Sequence, residues 1–169
     1  MKLIGEKIYL KPFGNEHAAK FFEWTRDPEI IKYTSFKPAE TIEEQEEINN
    51  NRDPKKDIIF AIFLKENDKL IGSVGVHKLD NPDKNFGVGL FIGDKSEWGK
   101  GYGTDVFKTW IKYLFEKKGA KKLNLNVYKD NIAAQKVYEK AGFKMKGTKK
   151  VLNAKTGKMQ EEFYMEFIP

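Results

Sequence analysis

Glycine occupies alternate positions at Gly99, Gly101 and Gly103 within Trp98-Gly99-Lys100-Gly101-Tyr102-Gly103-Thr104, and the residues that follow carry a helical apolar period. A turn without Cβ atoms lets backbone N–H groups approach an anion, and the helix N-terminus behind it adds a dipole worth about 0.3–1 kcal/mol. Several charge-assisted N–H bonds, roughly 1.5–3 kcal/mol each, outweigh that dipole, so the geometry of the turn and not the charge of Lys100 would dominate a phosphate site here. The same glycines would also suit a tight strand-to-helix connection with no ligand. Two other phosphate readings fit poorly. The spacing G-x-x-x-x-G-K-[ST] of a Walker loop is missing, and a dinucleotide fold places its glycines after the first strand of a β-α-β unit, whereas several strands precede these.

The remaining composition narrows the chemistry. There is no cysteine, which excludes disulfides, thiol nucleophiles and thiolate metal sites, and the two histidines, His17 and His77, are too few and too far apart for a histidine-rich metal site. No metal site is expected. The formal charge of +6 arises from lysines spread along the chain among 25 acidic residues, which reads as a solvated surface and not as a nucleic-acid patch. The N-terminus lacks the apolar core of a signal peptide and no run approaches the roughly 18 apolar residues of a membrane span, so a cytoplasmic protein with no membrane partner is expected.

The elements that must position the glycine turn follow from periodicity. Glu6 to Phe13 alternates as a strand, and Asn15 can cap a helix from about Glu16 to Thr25. Asp27-Pro28-Glu29 restarts a short helix through Tyr33, and Thr41-Ile42-Glu43-Glu44 resembles a capping box opening an acidic helix to about Asn51. Ile58 to Lys65 and Leu70 to Leu79 read as a hairpin, and Phe86 to Ile92 as the next strand. After the turn, Val106, Phe107, Trp110, Ile111, Leu114 and Phe115 recur at helical spacing until Gly119. Strand Leu123 to Tyr128, helix Asn131 to Ala141 ending at Gly142, and strands Phe143 to Val151 and Met159 to Phe167 complete a single domain over residues 1–169. The order β-α-α-β-β-β-α-β-α-β-β implies a mixed α/β sheet flanked by helices.

With these elements in place, two segments resemble the GNAT superfamily of N-acetyltransferases, especially the branch of ribosomal-protein N-terminal and polyamine or small-molecule acetyltransferases. They are Gly89-Leu90-Phe91-Ile92-Gly93-Asp94 leading into the glycine turn, and Asn131-Ile132-Ala133-Ala134-Gln135-Lys136-Val137-Tyr138-Glu139-Lys140-Ala141-Gly142-Phe143. The likeness covers nearly the whole chain and implies an α/β (α+β) fold: a mostly antiparallel sheet of about six to seven strands with about four helices. It implies acetyl-CoA as cofactor, with its phosphates on Gly99, Lys100, Gly101, Tyr102, Gly103 and Thr104. Pantetheine would lie along the strand edge at Phe91 and Ile92, one of whose N–H groups would polarise the thioester carbonyl. Trp98 stands where the usual phosphate loop has a polar residue. Asn131 matches the asparagine that bonds the cofactor arm, although it would serve equally as a helix N-cap. Tyr138 matches the tyrosine that protonates the departing thiolate, where composition alone would make it a core aromatic.

The resemblance implies direct attack of a neutral primary amine on the thioester. Many relatives place a glutamate where Gly87 aligns, so the general base is missing; Glu161 matches an acidic position on the last strand and is the best substitute, with a solvated strand residue as the plainer reading. The acceptor, a protein N-terminus or a small-molecule amine, should lie between the early helices and the final hairpin, where Trp24, Tyr33 and Phe36 are lining candidates that could equally be core. Glu43, Glu44, Glu46 and Glu47 could attract a polyamine or simply form a solvated helix face. A non-catalytic CoA-binding domain is the rival reading, and a homodimer is left open.

Overall fold

A computed structural model describes residues 1–169. One eight-stranded sheet runs in the order β1-β2-β3-β4-β5-β6-β8-β7, comprising β1 (Leu3–Ile4), β2 (Ile8–Pro12), β3 (Ile58–Leu64), β4 (Leu70–His77), β5 (Asn85–Ile92), β6 (Lys122–Tyr128), β7 (Lys144–Asn153) and β8 (Lys158–Phe167). Every neighbouring pair is antiparallel except β5 with β6. The helices are α1 (Ala18–Trp24), α2 (Pro28–Ile31), α3 (Ile42–Asn50), α4 (Tyr102–Lys117) and α5 (Ile132–Ala141). The sheet thus has eight strands where six to seven were expected, and five helices where about four were. The extra strand is Leu3–Ile4, two residues, too short for an alternation to register in the sequence.

Period-two alternation sorts the sheet's two faces. Ile8, Leu10, Phe60, Ile62, Val74, Val76, Phe86, Val88, Leu123, Leu125 and Met165 join Val106, Phe107, Trp110 and Leu114 of α4 in one buried core. Trp110 sits fully buried with its Nε1 donating to the Gly75 carbonyl at 3.0 Å, so the large ring carries no unpaired donor. The opposite face carries Tyr9, Ala61 and Phe63, against which His17 packs edge-on ahead of α1. Helix boundaries follow local chemistry. Thr41 Oγ1 accepts the Glu44 N–H as expected of a cap, but the Glu44 carboxylate reaches back to the Glu40 N–H and not to that of Thr41. Asn15 does not cap with its side chain: it donates to Asn50 Oδ1 at 2.9 Å, and His17 Nδ1 accepts the Gly14 N–H instead. Gly119 and Gly142 both have positive φ, closing α4 and α5 as the sequence predicts. No helix is long and apolar enough to cross a membrane.

Candidate functional site

β5 and β6 pair in parallel only at Asn85↔Lys122, Phe86↔Leu123 and Gly87↔Asn124, yet β5 continues to Ile92 and β6 to Tyr128. Beyond Gly87 the two strands part, and one edge of β5 is left without a ladder. Register decides which groups point into the parting. The Gly93 N–H donates to the Ile71 carbonyl at 2.8 Å, so Gly72↔Ile92 is a non-hydrogen-bonded pair, and Ile92, like Leu90, turns its own N–H and C=O away from β4. Phe91, facing Ser73, spends its backbone groups on β4. Of the two residues expected to offer an N–H at this edge, the geometry singles out Ile92 and adds Leu90.

The glycine turn follows β5 directly. Gly99 and Gly101 have φ of +75° and +84°, and a Cβ at either would meet nothing within 4 Å, so backbone conformation favours glycine there and the space in front of the turn is open. Gly103 differs: its Cβ would crowd Leu90 Cδ2 at 3.2 Å and Val137 Cγ1 at 3.3 Å, so it lets α4, β5 and α5 meet. Gly101 caps α4 without any side-chain hydrogen bond, and none of the N–H groups from Gly99 to Thr104 donates to another group of the chain. Six adjacent donors at a helix N-terminus in open space are what a diphosphate requires. Asp105, in the first turn of α4, would oppose an anion, but its carboxylate accepts the Glu6 and Lys7 N–H groups at 2.9 and 2.7 Å. Lys100 leans on Glu97 at 3.4 Å; the same buried Glu97 takes Lys69, which also pairs with Asp94 at 2.9 Å. Trp98 is half exposed, and its Nε1 donates to the Ile92 carbonyl at 2.9 Å, fastening the turn to the end of β5. That indole contact is a positioning role that the sequence does not announce.

Across the parting, Asn131 Oδ1 caps α5 by accepting the Ala134 N–H at 3.2 Å, which leaves its Nδ2 uncommitted. Gln135 Nε2 donates to the carbonyls of Tyr128 and Lys129, tying α5 to the end of β6. Tyr138 is buried, stacked on Phe107 at 5.0 Å, and burial pushes its phenol up to about 12. Its hydroxyl makes no hydrogen bond in the chain, and the one fully buried side-chain polar atom without a partner is Asn49 Nδ2, so the Tyr138 hydroxyl keeps contact with the surface. A buried ring with an unpaired, reachable hydroxyl fits a proton donor as well as it fits packing.

The expected acceptor residues separate. Trp24 is buried under Gly93, whose Cβ would strike the indole at 2.2 Å, and it joins Phe21, Phe36 and Phe91 in an aromatic cluster with centroid distances of 5.1–6.2 Å. Phe36 is partly exposed at the margin of this cluster. Tyr33 stands apart, lining a pocket with Ser35, Asn126, Tyr128 and Glu162. Lys155, in the β7–β8 turn, donates to the Ile31 carbonyl at 2.8 Å and to Thr34 Oγ1 at 2.9 Å, clasping the segment that carries Tyr33. Glu43, Glu44 and Glu47 are exposed on α3.

Two findings bear on the missing base. Gly87 lies beneath the imidazole of His77, the residue opposite it on β4; a Cβ at Gly87 would stand 2.0 Å from Nε2, so a larger residue there would have to swing this exposed imidazole aside. Glu161 is hydrogen-bonded to Lys129 at 2.8 Å, and this holds its carboxyl below the usual range, which weakens it as a proton acceptor. Its neighbour Glu162 points to the opposite face, into the Tyr33 pocket.

Residues 7–144 match the family described as the acetyltransferase (GNAT) domain. The chain is 24% identical over 149 residues to N-acetyltransferase p20 of Bacillus licheniformis, itself uncharacterized, covering 86% of this chain and 83% of that one. Its fold superposes on spermidine N-acetyltransferase from Vibrio cholerae, solved with CoA and spermine, with a TM-score of 0.86 at 20% identity over 96% and 95% of the two chains. A putative ribosomal-protein-serine acetyltransferase from Vibrio cholerae superposes with a TM-score of 0.79 at 16% identity over 100% and 98%.

Proposed function

This chain belongs to the acetyltransferase (GNAT) family, and on that premise we propose that it moves an acetyl group from acetyl-CoA to a primary amine by direct attack, with no covalent enzyme intermediate. The observation that carries the reading is the row of N–H groups from Gly99 to Thr104, unpaired within the chain and set where β5 and β6 part. A cytoplasmic location belongs to the same proposal.

When bound, acetyl-CoA supplies a thioester whose carbonyl carbon the amine attacks. Gly99 to Thr104 hold the phosphates through backbone N–H groups, with Lys100 a minor contributor because Glu97 already engages it. Leu90 and Ile92 offer N–H groups to a carbonyl oxygen on the open edge of β5, and Trp98, by occupying the Ile92 carbonyl, holds that edge in place. Tyr138 donates at sulfur. Burial raises its phenol, which stays protonated throughout the neutral range and so meets the departing sulfur as a donor. Glu161 can relay a proton through water but, paired with Lys129, accepts one weakly. The amine must therefore reach the site with little help in losing its proton, which suits a protein N-terminus at about 7.7–8.0 better than an alkylamine at about 10.4. A small-molecule acceptor is the second reading, favoured by the Tyr33 pocket.

Calorimetric titration with acetyl-CoA in the presence of a chelator tests the cofactor half. Binding that pyrophosphate competes away is expected; affinity for acetyl-CoA that depends on added metal, or no affinity, would overturn it.

A further inference from the structure

Counted on from Gly87↔Asn124, Phe91 of β5 and Tyr128 of β6 stand at the same height on the two parting strands. Tyr128 pairs with Glu162 of β8, and Glu162 with Lys149 of β7. Asn126 and Glu162 share the sheet face with Gly87 and Gly89; a Cβ at Gly89 would meet nothing within 4 Å, so this face is open at Gly89, between the His77 imidazole over Gly87 and the polar residues beyond. Tyr33 and Ser35, held down by Lys155, cover it from above. The pocket is a shallow, open depression of ≈ 180 Å³, below the roughly 300–1,000 Å³ of ordinary ligand sites, and so suits one ammonium and a few methylenes.

Glu162 is the one acidic group among the lining residues. Its side chain is only 12% exposed and accepts no hydrogen bond; the nearest cation, Lys149 Nζ, is 3.7 Å away, too far for one, and is itself mostly in solvent. The carboxylate accepts no hydrogen bond from the chain yet keeps contact with the surface, so a ligand ammonium can reach it and supply charge-assisted donors. The phenols of Tyr33 and Tyr128 supply aromatic faces, although Lys32 already stands 5.2 Å from the Tyr33 ring. Glu162 also helps keep the Tyr128 phenol protonated, secondary to burial.

We propose that Glu162 is a specificity-determining residue that holds the second, non-reacting ammonium of an aliphatic diamine or polyamine acceptor, while the other amine reacts at the parting of β5 and β6. This rests on the acetyltransferase reading of the same site with its small-molecule acceptor; the second ammonium lowers the pKa of the reacting amine, which offsets the want of a base. The reacting nitrogen, as the free amine, forms the new C–N bond while the C–S bond breaks; it loses one proton to solvent and the sulfur gains one. The ammonium on Glu162 is unchanged throughout.

The test compares acetyl transfer from acetyl-CoA to 1,4-diaminobutane and to butylamine, which differ in the second charge. Wild-type protein should prefer the diamine. Glu162→Gln should lower kcat/KM for the diamine by about 10- to 100-fold and leave butylamine unchanged. Lys149→Met, which removes a competing cation, should raise kcat/KM for the diamine. Equal losses with both amines, no wild-type preference, or no transfer to either amine while calorimetry still shows acetyl-CoA bound would overturn the assignment. Absence of acetyl-CoA binding would instead overturn the reading on which it rests. Should Glu162→Gln melt early, the Lys149→Met comparison still decides.

Discussion

The His77 imidazole lies directly over Gly87, so close that a Cβ there would be 2.0 Å from Nε2 and 2.3 Å from Cε1. The two residues face one another on β4 and β5 at the last rung before β5 leaves β6. Glycine at this point lets the imidazole lie flat on the sheet, and a carboxylate side chain there would have to push it aside. Gly87→Glu should therefore cost about 0.5–1.5 kcal/mol of stability, that of pushing a side chain off its preferred rotamer. Adding His77→Ala should return at least about 0.5 kcal/mol of it, read as a coupling energy in a denaturant double-mutant cycle. Additive effects would mean that the two side chains do not compete for this space.

Gly101 separates conformation from occlusion. Asn tolerates a positive φ better than other residues with a side chain, and Gly101→Asn places that side chain in the open space before the turn. The variant should keep most of the wild-type melting temperature yet bind acetyl-CoA at least about tenfold more weakly, the loss of one or more charge-assisted bonds. Lys100→Ala should do much less, because Lys100 already leans on Glu97. Equal, small effects by calorimetry would remove the phosphate role of the turn.

Tyr138→Phe deletes a hydroxyl that has no partner in the chain while keeping the stack on Phe107. Stability should hardly change. Turnover should fall by about 10- to 10⁴-fold with acetyl-CoA affinity nearly constant, the range spanning general-acid effects. A lower melting temperature with wild-type turnover would make the tyrosine purely structural.

Protonation of His17 should destabilise the fold. Burial, with help from Lys11 and opposition from Glu16, lowers its pKa below 6.5, and Nδ1 must be unprotonated to accept the Gly14 N–H at 3.1 Å. His77 is shifted the same way by desolvation and Lys78, against Asp57. A depressed histidine contributes fully above its unfolded pKa of about 6.5, and that contribution is lost as pH falls from there through the folded value. Melting temperature should drop between pH 7.5 and pH 5.5, and the drop should shrink in His17→Asn/His77→Asn. An unchanged slope in the double variant would assign the loss to other groups.

The glycine turn, the helix behind it and the closing glycines were legible because glycine content and the 3.6-residue period are local signals. What the sequence hid depends on register. Whether Phe91 or Ile92 offers its N–H is decided by the pairing of β5 with β4, and whether Glu161 or Glu162 faces the parting is decided by the pairing of β8 with Tyr128, and a shift of one residue reverses both. The Trp98 contact with the Ile92 carbonyl and the His77 cover over Gly87 arise from residues six and ten positions apart that only the folded turn and hairpin bring together. Leu3–Ile4 was too short to show a period at all.

Acetyl transfer itself is tested most directly by incubating the protein with acetyl-CoA and a panel of N-terminal peptides, aliphatic diamines and aminoglycosides, then following product mass together with free CoA thiol. A primary amine should gain one acetyl group, with one thiol released per product and no acetylated protein along the way. Acetyl-CoA that is bound, as calorimetry would register, but yields neither an acetylated amine nor free thiol would contradict the enzyme and leave a CoA-binding domain in its place.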